Sequence, residues 1–353
     1  MIPSPYTEEA LKTHFRVGDS GKWKVDLEKD IDEIVKSASD RAGAIIPDLT
    51  IHSKTSKSGN IIYFAGDIET DLILRATYKR LARHYSIILP NREHIVSGII
   101  EATSEACPYL VTKCDIRAFY ESLNVEPIVR EILVDTRFSR DLKSIMRAIY
   151  DSAKIPKSTS PRGLAISAVF AELALKEFDS RIRKIPSVHR YFRYADDIIV
   201  FSLPNRPLLP VIKSELKTLG LEINEKTENP EVRSNPPPTK AEDPVVPTYS
   251  FLGYAFSAEE KVDKYKTREF NISISSKKIK KTMTRMFLAL HAFKKDENGH
   301  LLIDRLNYLS TNREIYKTKH NLGSKKQKIR TGIYYNYAKC GHYPSSKNGR
   351  ICT

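Results

Sequence analysis

The amino-acid sequence predicts an α+β fold, and three observations carry that prediction. Runs rich in β-branched and aromatic residues, Tyr109–Asp115, Tyr191–Phe201 and Tyr249–Phe256, are bounded by turn formers and read as strands. Between them, apolar residues recur at helical spacing, as in Asp67 to His84 with Leu72, Leu74, Tyr78 and Leu81. At 353 residues the chain is long enough for two or three domains. Its 58 Lys and Arg against 43 Asp and Glu give a net charge of +15, which points to a polyanionic partner, nucleic acid first. No transmembrane run is seen, and Met1-Ile2-Pro3-Ser4-Pro5 lacks both parts of an export signal. Four scattered cysteines, Cys107, Cys114, Cys340 and Cys352, form no CxxC pair and fit reduced thiols in a cytoplasmic protein with no membrane partner. Cys340, His342 and Cys352 match no common zinc spacing.

Residues 1–48 read as an N-terminal helical extension. Two amphipathic helices are joined by a turn around Gly18 to Gly21, the first capped by Thr7 and the second following Asp26 with Leu27, Ile31, Ile34 and Val35 on one face. Trp23 is a packing anchor. Thr50–His52 and Asn60–Phe64 are strands around a basic turn, either a solvated tip or a finger lying over nucleic acid. In the helix from Asp67, Arg75, Lys79, Arg80 and Arg83 form a stripe that is either a solvated face or a phosphate track. Pro90 to Ala106 is a further helix, with Arg92 near its N-terminus where an anion meets free N–H groups.

The chemistry gathers at two places. Tyr194-Ala195-Asp196-Asp197 lies where two apolar strands turn, so two carboxylates sit at a hairpin tip, where burial is costly unless a cation neutralises them. Alone, an Asp pair is most often a polar turn. A third carboxylate comes from Asp115, at the end of the strand Tyr109–Asp115, followed by Phe119 and Tyr120 as an aromatic wall. Asp115 alone would more often be a helix cap. After helices over 125–152, the loop Ile155–Ser167 carries Gly163, which permits close backbone approach. Leu208–Leu219 is a helix ended by Gly220, and Leu221–Thr227 a strand and turn. The stretch 228–247, with six prolines, is a surface excursion. Beyond a boundary near 275, Ile279, Met283, Met286, Phe287 and Leu290 are expected to form a buried helical face, with lysines on the other. Leu301–Leu309 is a second helix, followed by a basic run at 325–330 and the tyrosines of Gly332–Tyr337.

Taken in order, Asp115–Tyr120, Pro161-x-Gly163 with Ser167, Tyr194–Asp197, Gly220-Leu221 with Lys226, and Phe251–Tyr254 resemble the motifs of reverse transcriptases over most of residues 50–310. The likeness is to prokaryotic enzymes related to retron, group II intron and abortive-infection reverse transcriptases. Phe119–Ser122, Pro161–Ser167 and Gly332–Tyr337 look most like defence-associated members. The resemblance implies a right-hand polymerase with fingers at 49–108, a ferredoxin-like palm at 109–275 that includes fingers helices about 125–160, and a basic helical thumb and tail at 276–353.

It further implies two Mg²⁺ ions, replaceable by Mn²⁺, held roughly 3.5–4 Å apart by Asp115, Asp196, Asp197 and the Ile116 carbonyl. Catalytic roles fall to the three aspartates and to Lys226, which would protonate or neutralise pyrophosphate. The nucleotide would meet Arg117, Ala118, Phe119 and Tyr120, the last excluding a 2′-hydroxyl, with Arg162 and Gly163 against the nascent pair. Arg75, Lys79 and Arg92 are candidate triphosphate cations. Tyr194 and Phe251, Leu252, Gly253 and Tyr254 would hold the primer, and Lys277, Lys278, Lys281 and Arg285 the duplex phosphates. Implied partners are an RNA template, including a dedicated noncoding RNA, the DNA product and dNTPs. A second reverse transcriptase or other defence protein, and a homo-oligomer, stay open. Arg162 departs from the family's usual Gln, and no ribonuclease H segment is visible. Template-independent or protein-primed synthesis, or a catalytically silent RNA-binding scaffold, are the alternatives; the Gly-Gly-Asp/Glu-Glu-Phe signature of diguanylate cyclases is absent.

Overall fold

The computed structural model describes residues 4–16, 18–56, 59–152, 155–156, 158–204, 207–224, 231–232, 247–259, 267–317 and 327–344. Lys226, Cys352 and most of the Pro-rich excursion lie outside them.

The N-terminal unit holds three helices where two are expected: α1 (Glu8–Lys12), α2 (Asp19–Trp23) and α3 (Ile31–Gly43). Thr7 caps α1 by accepting from the Ala10 N–H. The stretch expected as a turn around Gly18 to Gly21 is largely helix α2. The helix expected after Asp26 starts later because Asp26–Asp30 closes a turn of its own: Asp30 N–H donates to the Asp26 carbonyl and Asp26 N–H to the Asp30 carboxylate. Trp23 packs against the core, as expected.

Next come the antiparallel hairpin β1 (Ile51–Thr55) and β2 (Ile61–Ala65) and the helix α4 (Ile68–His84), capped by Asp67. Here one expectation fails. Arg75 is buried on α4 and grips Asp19 with both terminal nitrogens, at 2.6 and 2.8 Å. It also donates to Asp71 at 2.9 Å and to the His14 carbonyl at 3.0 Å. A guanidinium so engaged has no capacity for a triphosphate; it ties the N-terminal unit to α4. Lys79, one turn on, is exposed and lies near His14, whose pKa is pushed down to about 4 by burial and by that lysine's charge.

The remaining elements to the first sheet are α5 (Arg92–Thr103), β3 (Tyr109–Asp115), α6 (Phe119–Ser122), α7 (Glu126–Val134), α8 (Arg140–Ser152), α9 (Ile166–Arg183), β4 (Val188–Tyr194), β5 (Asp197–Ser202), α10 (Leu209–Thr218) and β6 (Glu231–Val232). The sheet order is β4-β5-β3-β6, with every pairing antiparallel. With α6–α9 between β3 and β4 and α10 between β5 and β6, this is the ferredoxin-like arrangement that the resemblance implies. Leu221–Thr227, expected as a strand, makes a single bridge, Ile223 to Ile116.

The unbroken apolar run Ile198–Phe201 is explained by burial on both faces. Ile198 and Val200 point into the core built with α9 and α10, while Ile199 and Phe201 point into a second core with α5 and the second sheet. That sheet contains β7 (Thr248–Phe251), β8 (Tyr254–Ala258) and β9 (Phe270–Ile274). Arg268, fully buried, donates to the carbonyls of Glu105, Ala106 and Cys107 beyond α5 and to that of Glu259.

The chain continues through α11 (Ser276–Asp296), α12 (Gly299–Ser310), the hairpin β10 (Arg313–Lys317) and β11 (Gln327–Thr331), α13 (Ile333–Asn336) and β12 (Gly341–Tyr343). The sequence does not anticipate β12, which pairs with β9 and gives the order β12-β9-β8-β7. Nor is the apolar face of α11 buried: Ile279, Met283, Phe287 and Leu290 are all exposed, and only Ala289 is covered. The partner helix α12 does not cover that stripe. No described helix is long and apolar enough to cross a membrane.

The Asp19–Arg75 pair yields a pH-dependent expectation. Burial would raise the Asp19 pKa, but hydrogen bonds from Arg75 and the Arg16 N–H outweigh it and hold the carboxyl below its usual range. A depressed folded-state pKa stabilises above the unfolded value, about 3.9, and that stabilisation is lost as pH falls through the folded one. Asp19→Asn should therefore cost roughly 3 kcal/mol at pH 7 in denaturant melts and markedly less below pH 3. An equal cost at both pH values contradicts the assignment.

Candidate active site

Strand register brings the distant carboxylates together. Asp115, last residue of β3, stands directly opposite Asp197, first residue of β5. Asp197 also pairs with Tyr194 and so closes the two-residue turn Ala195-Asp196. Ala195 takes the left-handed conformation, φ 54°, which costs a non-glycine residue about 1 kcal/mol. The Ile116 N–H donates to the Asp196 carbonyl at 3.1 Å and locks the turn to the end of β3.

The segment 221–224 straps the other side. Asn224 N–H donates to the Asp115 carbonyl at 2.8 Å, its side-chain amide to Asp115 Oδ2 at 2.7 Å, and Arg117 N–H to the Glu222 carbonyl at 2.8 Å. Residues 115 and 117 make the bridging bonds, so the backbone groups of Ile116 face the Asp196 turn. By strand alternation Asp115, Lys113 and Asp197 share the sheet face toward β7–β9. Lys113 there reaches Ser250 Oγ at 3.4 Å.

Burial, Asp196 and Asp115 push the Asp197 pKa up to about 6, against the opposing charges of Lys113 and Lys277. Asp196 is likewise raised, by burial and then Asp115, with Arg162 opposing. Half-buried carboxylates that repel one another, all hard oxygen donors, fit the chemistry of Mg²⁺. Among the described residues no three His, Cys, Asp or Glu side chains are gathered tightly enough to grip an ion as they stand. Asp115 gives one oxygen to Asn224, so metal binding requires the carboxylates to turn toward one another. Cys114, between Lys113 and Asp115, is buried on the opposite face, and desolvation pushes its thiol up to about 12.

The aromatic wall is where the sequence puts it. Ala118, left-handed at φ 45°, starts α6; Phe119 is buried and Tyr120 half-buried, with ring centres 5.0 Å apart. Burial and then the Asp196 charge raise the Tyr120 pKa. Arg162 lies over the ring at 5.7 Å and donates to Glu121 at 2.7 Å. Arg117 is exposed and reaches Glu222 at 3.6 Å.

Several expected contacts are corrected. Gly163, φ 101°, permits close approach of the protein's own backbone: a Cβ there would lie 2.4 Å from the Tyr63 carbonyl, and the Tyr63 N–H donates to the Arg162 carbonyl at 2.7 Å. The β1–β2 hairpin is thereby pinned to the loop that carries Arg162 and Gly163. Arg92 is turned away from any triphosphate, donating to the Leu252 carbonyl at 3.0 Å and the Asn336 carbonyl at 2.7 Å. Phe251 and Tyr254 are core side chains, so in that turn Leu252, Gly253 and the backbone are left to meet a ligand. Tyr194, Lys277, Lys278, Lys281 and Arg285 are exposed as expected.

Three positioning residues escape a motif reading: Asn224, Lys113 and Arg193. The Arg193 guanidinium, buried in β4, donates to Asp179 and Glu172 of α9 at 2.7–3.2 Å and to the Ala195 carbonyl at 3.2 Å. Tyr191 OH donates to the same Asp179 at 2.6 Å. Burial lowers the Arg193 pKa, but the bonds to Asp179 and Glu172 outweigh it and hold the pKa above its ordinary value. The usable signal was Glu172 and Asp179, a heptad apart on α9, opposite an arginine flanked by aromatic residues in β4.

A ferredoxin-like sheet with carboxylates at the turn of its central hairpin and at the end of the adjoining strand defines a right-hand polymerase palm. Residues 72–256 match the reverse transcriptase (RNA-dependent DNA polymerase) family, and the chain belongs to that family. No curated protein matches the sequence. Among solved structures, apo telomerase from Candida tropicalis, truncated from its C-terminal domain, is similar at 13% identity and a TM-score of 0.40, with 64% of this chain and 55% of that one covered. Telomerase from Candida albicans in complex with the TWJ fragment of telomeric RNA is similar at 12% identity and a TM-score of 0.40, covering 71% and 50%. The chain thus spans about half the length of those telomerase chains.

The pinning of Tyr63 is testable. Gly163→Ala should cost roughly 1–3 kcal/mol and release the hairpin. Hydrogen exchange at the Tyr63 amide should quicken relative to amides in β5; equal protection in both proteins contradicts the contact.

Proposed function

We propose that this protein is an RNA-directed DNA polymerase that copies an RNA template into DNA by nucleotidyl transfer at the Asp115, Asp196 and Asp197 cluster. The observation that carries it is the register placing Asp115 opposite Asp197 with Asp196 at the adjoining turn. These three carboxylates and the Ile116 carbonyl would hold Mg²⁺, which when bound supplies charge stabilisation to the attacking and leaving oxygens. The Asn224 N–H bond to the Asp115 carbonyl and the Arg193 bond to the turn carbonyl fix the backbone that carries the ligands, while the carboxylates would turn toward one another to bind the ion. Tyr120 sits beside Asp196, where a bulky ring excludes a 2′-hydroxyl, and Arg162 adds a cation over it. Lys226 is assigned to the departing pyrophosphate on sequence alone. The exposed cations of α11 suit duplex phosphates.

In this reading residues 49–108 act as fingers, 109–275 as palm and 276–353 as thumb and tail, with dNTPs as substrates and RNA and DNA as partners. The likeness of Phe119–Ser122 and Pro161–Ser167 to defence-associated enzymes supports a role in bacterial antiphage defence, in the cytoplasm.

Primer extension with labelled dNTPs on an RNA template tests the activity. The double variant Asp196→Asn with Asp197→Asn should abolish Mg²⁺-dependent incorporation while copurifying RNA is retained; unchanged incorporation places the chemistry elsewhere. Tyr120→Val should admit ribonucleotides, raising rNTP over dNTP incorporation on the order of tenfold. An unaltered ratio removes Tyr120 from the sugar site.

A further inference from the structure

The turn joining β7 to β8 is strained and held from outside its own hairpin. Leu252 and Gly253 both have positive φ, 46° and 87°. The Ser275 N–H donates to the Gly253 carbonyl at 2.9 Å, and Arg92 donates to the Leu252 carbonyl. The same guanidinium donates to the Asn336 carbonyl and lies over the rings of Tyr254 at 4.9 Å and Tyr337 at 5.3 Å. Tyr254 OH also donates to the Asn336 carbonyl, at 3.1 Å. A Cβ on Gly253 would lie 2.9 Å from Tyr337 OH and 3.2 Å from Lys278 Cε. The turn, the root of α11 and the C-terminal segment therefore meet at one glycine. Downstream, β12 anchors that segment on β9.

Between α11 and α13 this packing leaves an open cleft of about 400 Å³, lined among others by Lys278, Lys281, Arg285, Tyr308, Asn336 and Tyr337. Three cations among tyrosines, beside a half-buried backbone turn that Lys278 and Tyr337 touch, suit a sugar-phosphate strand. Residues 332–343 lie outside the stretch that matches the family.

We propose that the C-terminal segment 332–343 is a working wall of the primer-strand site, held there by Arg92, and that the cleft takes the primer backbone next to its 3′ end. This rests on the polymerase reading above. Arg92 is a positioning residue: it sets the turn that Phe251 and Tyr254 anchor from inside, and the segment adds a wall opposite Lys278 and Lys281.

The test compares binding of the full chain to a labelled DNA primer recessed on an RNA template with binding to a blunt RNA–DNA duplex of equal length, without dNTPs. The wild type should favour the recessed end. Arg92→Ala should lose that preference by about tenfold and raise the KM for primer while the KM for dNTP stays. Arg92→Lys should not rescue it, because an ammonium cannot span two carbonyls and two rings. Lys281→Ala, on the exposed rim, should lower the salt dependence of recessed-end binding by about one counterion and decides the matter if Arg92→Ala melts early. An Arg92→Ala protein that melts like the wild type with unchanged primer preference overturns the proposal, as does an unchanged salt slope in Lys281→Ala. A wild type that selects the recessed end but adds no nucleotide overturns the polymerase reading alone, since the binding comparison still decides this one.

Discussion

The pairing of β3 with β5 is the constraint from which the site follows. Side chains alternate with a period of two, so a slip of one residue would move Asp115 off Asp197 and turn Ile199 and Phe201 into the wrong core. Apolar side chains pack on both faces of this sheet, and each face independently rejects the slip. A residue pair at the end of a central, doubly covered strand is therefore placed more firmly than any loop could place it. The Ile116 bond to Asp196 and the strap from Asn224 extend that precision past the strand ends.

Holding three carboxylates together carries an electrostatic cost, visible in the raised pKa values of Asp196 and Asp197. The protein offsets part of it with surrounding cations, Lys113, Lys277 and Arg162, which come from the sheet, the thumb root and the loop over the site. Behind the turn the polarity is reversed. Buried Arg193 faces Glu172 and Asp179, and removing Arg193 leaves two uncompensated acids against the core.

The sequence made the strands and the aromatic wall legible, because each rests on local pattern: a run of β-branched residues, a turn, a fixed offset; the Asp115 and Asp197 partnership was legible only through the ordered motifs of the family resemblance. What it did not make legible depends on a partner far along the chain. Arg75 and Arg92 carry the same charge as a phosphate-binding arginine, and only Asp19 in one case and Asn336 with Tyr337 in the other reveal their work. Gly163 signals close approach without saying to what, and the answer is Tyr63. The apolar stripe of α11 has core periodicity, yet among the described residues Ile279, Met283, Phe287 and Leu290 stay exposed. Strand β12 is three residues long, too short for alternation to show.

The strap at residues 221–224 has a kinetic corollary. Asp115 is synthesised early, but its opposite number on β5 arrives only after four intervening helices, and the amide that holds its carboxylate only after a fifth. Such long-range closure is slow compared with local helix formation. A nascent chain still lacking Asn224 would thus carry all three carboxylates with Asp115 unstrapped, so the site is complete only once residues 221–224 have joined the sheet.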